Sequence, residues 1–145
     1  MKIQVKSAQV NFVKDKFDLI AFGVTSPAKK PAGVLADIDK ALDGAVSRIF
    51  SLGDFKAKPN TTALIYTNDA IPARRILLVG LGDEKKLTLD IIRKAVASAS
   101  RQAITLSAAN LAIDISLIAQ NFDPASLAQT ITEALHFGAY KYDEF

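Results

Sequence analysis

Arg74-Arg75-Ile76-Leu77-Leu78-Val79-Gly80-Leu81-Gly82 is the stretch that decides the fold. Ile76 to Val79 form an apolar run with no polar alternation. A strand reads this way when both of its faces are covered, as in the centre of an α/β sheet. Gly80 and Gly82 release the backbone from side-chain sterics, so the run is expected to end there in a sharp turn. Thr88 then opens a long amphipathic helix. Gly80-Leu81-Gly82 also has the beginning of a dinucleotide-binding loop. The signature needs a third glycine, where Lys85 stands, and an acid at the end of the next strand, about twenty residues on, which is missing. The glycines read as a plain tight turn.

Upstream of this stretch, Lys2–Val10 alternates through Ile3, Val5, Ala8 and Val10 and reads as a half-buried strand. Phe17–Thr25 reads as a second, more buried strand, and Ser26–Gly33, with Pro27, Pro31 and Gly33, as a surface loop. Leu35–Phe50 has helical period, with Leu35, Ile38, Leu42, Ala45 and Ile49 on one face. Gly53 suits its C-terminal cap. Asp54–Asn60 is polar loop, Thr61–Thr67 a third strand, and Asn68-Asp69 a turn ahead of Pro72.

Downstream, Leu89, Ile92, Val96, Ala99, Ala103 and Leu106 mark one face of a helix over Thr88–Ser107. Thr88 suits its N-cap, and Asp90 places negative charge in its first turn. Asn110–Ile118 reads as a further buried strand. Asp123-Pro124 starts a last helix, with a capping carboxylate and proline at the first helical position. The predicted order is β-β-α-β-β-α-β-α. It implies a three-layer α/β/α domain with a mixed central sheet.

The 145 residues are one domain by length, and half are hydrophobic, enough for a real core. The net charge of +3 is spread over 18 basic and 15 acidic residues. Lys29-Lys30, Lys56, Lys58, Arg74-Arg75 and Lys85-Lys86 are the candidates for nucleic-acid contact. They lack interleaved aromatics and read as solvated loop charge. There is no cysteine, hence no disulfide framework and no thiol nucleophile. No apolar run is long enough to span a bilayer, and Met1-Lys2 leads into no secretory segment, so the expected address is the cytoplasm.

The usual catalytic constellations are thin. His136 is the only histidine, which excludes a multi-histidine metal site. Glu133 stands one helical turn before it, and Asp143 and Glu144 follow. One Glu-x-x-His is no di-metal site by itself. Asp37 and Asp39 do not face each other on a helix and read as solvated first-turn acids. Thr67-Asn68-Asp69 reads as local backbone capping in a turn. No Gly-x-Ser-x-Gly elbow occurs. On its residues alone, the chain is an α/β domain without a self-sufficient active site.

The order of several short motifs resembles a known family. Gly53-Asp54-Phe55, Ile71-Pro72-Ala73, Arg75–Gly82, Leu87-Thr88 and Arg93-Lys94-Ala95 resemble the amino-terminal domain of the leucyl (cytosol) aminopeptidases. Thr132-Glu133-Ala134 and Gly138–Asp143 resemble the helix leading into that family's catalytic domain. The resemblance implies that residues 1–145 are a non-catalytic, assembly or regulatory domain with a macro-domain-like fold. It implies that no catalytic, cofactor-binding or metal-binding residue lies among them. The parent would be a cytosolic metallo-aminopeptidase that releases amino-terminal residues from peptides. Its two divalent ions (manganese, zinc or magnesium) would sit in a separate carboxy-terminal domain within a homo-hexamer. The partners implied are that catalytic domain, neighbouring subunits and peptide substrates, with no membrane. The alternative is a nucleotide, ADP-ribose or nucleic-acid-binding α/β module. Tyr140, Tyr142 and Phe145 crowd the chain end and are expected to pack near the catalytic domain.

Overall fold

Among the described residues the elements follow in the order β1 (Leu19–Ser26), α1 (Val34–Ala41), α2 (Ala45–Leu52), β2 (Thr62–Tyr66), β3 (Arg75–Asp83), α3 (Leu89–Thr105), β4 (Leu111–Asp114) and α4 (Pro124–Asp143). The computed structural model describes residues 11–114 and 119–143, with the side chains of α4 as far as Gly138. The expected strand Lys2–Val10, the second half of Asn110–Ile118 and the aromatic side chains of Tyr140, Tyr142 and Phe145 lie outside the described residues.

The sheet order is β2-β3-β1-β4. β1 runs parallel to both β3 and β4, and β2 is antiparallel to β3, so the sheet is mixed. β3 is buried continuously from Ile76 to Gly82. Alternation sends its side chains to opposite layers. Ile76 and Leu78, with Ile20 and Phe22 of β1, pack under Leu35 and Ile38 of α1 and Val46 and Phe50 of α2. Leu77 and Val79, with Leu19 and Ala21, meet Ala99 and Ala103 of α3 on the other face. Beside them, Leu81 joins Ile92, Val96 and Ala97 of α3 to Leu127 and Ala134 of α4. Three layers result, as the periodicities predict. The last layer is tight. A Cβ on Gly138 would lie 2.7 Å from the Ala97 carbonyl oxygen, and the Ser100 hydroxyl donates to the Leu135 carbonyl at 2.9 Å.

The expected turn at Gly80-Leu81-Gly82 is not there, because the strand continues through both glycines to Asp83. Val24 pairs with Gly80 and Thr25 with Gly82, which leaves Leu81 as the extra residue of a bulge. Gly82 supplies the positive φ of 77° that the bulge needs. At Gly80 the reason is space: a Cβ there would overlap the Lys58 carbonyl oxygen and lie 2.6 Å from Thr61 Oγ1. The glycines admit the backbone of the loop 57–61 against the strand.

The single helix expected over Leu35–Phe50 is two. Asp43 (φ 56°) and Gly44 (φ 81°) enter the left-handed region and break it. Asp39 is what makes the break stable, and it is no solvated acid. Its Oδ1 accepts the Val46 and Ser47 amides at 2.8 and 3.0 Å, and its Oδ2 the Ser47 hydroxyl at 2.5 Å. This carboxylate caps α2 from inside α1, satisfying amides that a helix start leaves orphaned. Asp37 is exposed, as expected. β4 is half-buried, not fully buried.

The remaining caps follow expectation. Thr88 Oγ1 accepts the Ile91 amide at 3.3 Å, and Asp90 lies 3.6 Å from Arg93 and 3.3 Å from Lys94. Gly53 ends α2 at φ 76°. Asp123 Oδ2 accepts the Ser126 amide and hydroxyl, each at 3.0 Å. The backbone and side-chain bonds from Ser126 hold the Asp123 carboxyl below its ordinary value. Asp18 was not singled out by sequence reasoning. It ties the start of β1 to the entry of β4: Asn110 Oδ1 accepts the Asp18 amide at 2.8 Å, and Asp18 Oδ2 accepts the Ala109 amide at 2.7 Å.

Two outcomes are expected. Gly80→Ala forces the loop 57–61 off the strand, costing about 2 kcal/mol or more and lowering the thermal midpoint by about 4–8 °C; an unchanged melting curve would contradict the close approach. A depressed folded pKa means the Asp123 cap contributes fully above the carboxylate's ordinary value of 3.8 and is lost as pH falls through the folded value. Hydrogen-exchange protection at the Ser126 amide should therefore fall in acid, and should be low at every pH in Asp123→Ala.

Candidate functional site

Because β1, β3 and β4 are parallel, their carboxyl ends share one edge of the sheet. From β1 the chain leaves to the layer of α1 and α2, whereas β3 and β4 lead to α3 and α4 on the opposite face. Neighbouring strands that send the chain to opposite faces leave a crevice between them, the usual ligand position in an open α/β sheet. Such a crevice is present: a cleft of about 130 Å³. Phe22 and Val24 of β1, Leu35 of α1 and Phe50 of α2 form its apolar wall, and Thr25, Lys30 and Asp114 contribute polar groups. Lys30 is exposed, and Asp114, the last residue of β4, is already engaged in an interaction of its own. Among the described residues no side chain caps the start of α1, so its leading amides add partial positive charge at the same rim.

Gly80-Leu81-Gly82 is no open phosphate cradle, because backbone carbonyls occupy both glycine amides. The Gly80 amide donates to Thr61 O and the Gly82 amide to Ala57 O, both at 2.8 Å. Asp83 Oδ1 accepts the Lys85 amide at 2.9 Å, capping the short 3-10 turn Glu84–Lys86. Thr67-Asn68-Asp69 is the expected turn. Its hydroxyl donates to the Ala73 carbonyl at 2.5 Å, and Asn68 and Asp69 both take positive φ.

His136 and Glu133 are exposed on α4, and Glu133 accepts from Gln129 Nε2 at 2.8 Å. Among the described residues no group of three or more His, Cys, Asp or Glu side chains could hold a metal ion. The donor set described here does not fit the divalent pair that the family resemblance implies. The side chain of Asp143, and Glu144, lie outside the described residues.

The fold does gather charge that the sequence scatters. Lys29 and Lys30 follow β1, Lys85 and Lys86 follow β3, and Lys56 and Lys58 ride the loop that covers Gly80 and Gly82. All six lysines are exposed at the carboxyl edge, with Asp54, Asp83 and Glu84 among them. Arg74 and Arg75 are at the other end of β3. Arg74 lies 3.8 Å from Asp18, and the Arg75 guanidinium sits 5.9 Å from the Tyr66 ring centroid. Phe22, Leu35, Phe50 and Asp114 line the cleft, and no motif in the sequence marks them. They read as core or as strand, and their one available signal was position at or near the carboxyl ends of successive strands. No helix of the described residues is long and apolar enough to cross a membrane.

The sequence model of the N-terminal domain of the cytosol aminopeptidase family matches residues 21–145. A probable cytosol aminopeptidase of Alkaliphilus oremlandii is 32% identical over 145 residues, covering 100% of this chain and 29% of the relative. One from a Sulfurihydrogenibium species is 34% identical over 146 residues, covering 100% of this chain and 28% of the relative. The chain thus spans less than a third of the length of these curated relatives. Among solved structures, a tomato leucine aminopeptidase aligns at TM-score 0.76 and 22% identity, over 94% of this chain and 28% of that one. The macrodomain of Mycobacterium tuberculosis DarG aligns at TM-score 0.70 and 11% identity, over 89% and 88% of the two chains. At those identities the structural matches establish the fold alone, a macrodomain-like α/β arrangement. The family rests on the sequence match, and by it the chain belongs to the cytosol aminopeptidase family, as its amino-terminal domain.

Proposed function

We propose that residues 1–145 are a non-catalytic assembly or regulatory domain of a longer cytoplasmic metallo-aminopeptidase. The observation that carries this is the match to the family's amino-terminal domain over a chain that covers only 28–29% of its curated relatives. In this reading the catalytic domain, with its two divalent ions, follows in the same polypeptide. It takes peptides as substrate and assembles as a homo-hexamer. The domain contributes contacts to that catalytic domain and to neighbouring subunits.

Leucine-p-nitroanilide hydrolysis in manganese tests the reading. The 145-residue chain should give no turnover, and the longer protein that contains it should be active. Metal-dependent turnover by the pure chain would sink the proposal.

A second reading, contact with a nucleic-acid backbone, is favoured by one observation, the six exposed lysines at the carboxyl edge. The three interleaved acids and the absence of stacking aromatics among those lysines make it a phosphate-only contact. DNA affinity measured by anisotropy should then fall steeply with salt, and the slope should flatten in the double variant Lys85→Gln, Lys86→Gln. Salt-independent binding, or none, would remove this reading.

A further inference from the structure

β2 is an outer strand of the sheet, and among the described residues no strand takes its far edge. Outer strands are usually guarded against pairing by a charge, a proline or a bulge. The other outer strand, β4, carries Asp114. β2 reads Thr62-Ala63-Leu64-Ile65-Tyr66, with no charge and no proline, and its register with β3 is unbroken. The hydrogen bonds to β3 fix which of its groups face outward. Thr61 O accepts the Gly80 amide and the Thr67 amide donates to Arg74 O, both in the β2–β3 register. Bonded and non-bonded residues alternate along an antiparallel pair. Ala63 and Ile65 therefore bond to β3, and Thr62, Leu64 and Tyr66 turn their amides and carbonyls away from it. The side chains of these three share a face. Leu64 packs on the α3 side, whereas Ala63 and Ile65 pack on the side of α1 and α2. Thr62 is exposed, and the large Tyr66 side chain leaves its residue 59% exposed.

This edge is complementary to itself. A second copy turned about a two-fold axis at Leu64 runs antiparallel to the first. Leu64 then faces its own copy, and Thr62 faces Tyr66 of the second copy. Both members of each opposed pair belong to the outward set, so every outward amide meets an outward carbonyl. Threonine opposite tyrosine is a β-branched and aromatic pair of the kind that stabilises a ladder. The flanking charges match as well. Exposed Lys58 precedes β2 and exposed Asp69 follows it, so antiparallel pairing brings the basic flank of one copy toward the acidic flank of the other. Of the two arginines near the acidic flank, Arg74 lies 3.8 Å from Asp18 and Arg75 sits against the Tyr66 ring. We propose that the β2 edge pairs antiparallel with the β2 edge of a second copy of this chain, joining two sheets into one. Five residues a side make a contact smaller than the about 1,200–2,000 Å² of stable complexes, so the pair is weak by itself, with a Kd of about 0.1–1 mM. That the same edge joins subunits of the longer protein rests on the function proposed above. There the rest of the assembly would raise the effective concentration.

Sedimentation equilibrium of the 145-residue chain from about 10 μM to about 2 mM tests the pairing, and the mass should rise toward that of a dimer. Thr62→Pro removes an outward donor at the first, exposed residue of the strand, where proline leaves the bonds to β3 intact. It should weaken dimerisation about tenfold or more and leave the melting midpoint close to that of the unaltered chain. Lys58→Glu should weaken it about threefold, and that loss should vanish at about 1 M salt. The chain has no cysteine, so cross-linking can read the register. A short thiol cross-linker should join Thr62→Cys chains to Tyr66→Cys chains and neither to itself. A chain that stays monomeric at the highest concentration would overturn the proposal. So would a dimer that Thr62→Pro leaves unchanged, or self-linking of Thr62→Cys. Slow amide exchange at Leu64 and Tyr66 in a monomer would overturn it too, because the chain would then cover the edge itself. No readout needs peptidase activity, so an inactive longer protein would refute the parent function and leave the pairing standing.

Discussion

A strand covered on both faces and paired on both edges leaves no room for a polar side chain, and β3 is such a strand. Its Ile76 to Val79 run supplies side chains to both layers at once, and β1 and β2 take its two edges. Every other placement follows from this. α1 and α2 must cover one face, α3 and α4 the other, and β1 must lie alongside to extend the covered area. Burying such residues is worth about 1.5–3 kcal/mol for each large side chain, so exchanging the layers or exposing one face would forfeit the main driving force of the fold.

The same constraint explains why the glycines of β3 do not make a ligand loop. Once β3 is central, the loop before β2 has to cross its carboxyl end, and its carbonyls need donors. The amides of Gly80 and Gly82 supply them, and the missing side chains provide the space. A motif that in another context would face a phosphate is here consumed by the fold. The vacancy passes to the neighbouring strand, where β1 leaves toward one layer and β4 toward the other, and the cleft lined by Lys30 and Asp114 opens there.

Much of the architecture was legible. The uninterrupted apolar run, the three-four spacing of Leu89 to Leu106, the Thr88 and Asp123 caps and the Gly53 stop are local codes, and each appears where it was read. The errors share one cause. Gly80 and Gly82 were given a local role, a turn, while their actual partners are Lys58, Pro59 and Thr61, some twenty residues away. Asp39 reads as a solvated acid when its spacing from Asp37 is followed along one helix. Its partners are Val46 and Ser47 of the next helix, across a break that Gly44 permits. The cleft residues were hidden more completely, since a phenylalanine in a strand and one in a helix look like core in any sequence.

By itself the sequence determined the layer count, the mixed sheet, the starts of α3 and α4 and the family, because these depend on periodicity, capping chemistry and motif order within short windows. The tertiary structure alone decided which strand lies beside which, what the glycines accommodate, that six dispersed lysines share one edge, and that a cation and a carboxylate 84 positions apart, Lys30 and Asp114, line one cleft. The physical reason is that side-chain alternation and helix capping are properties of neighbouring residues, whereas a site at strand ends exists only after non-local pairing has aligned those ends.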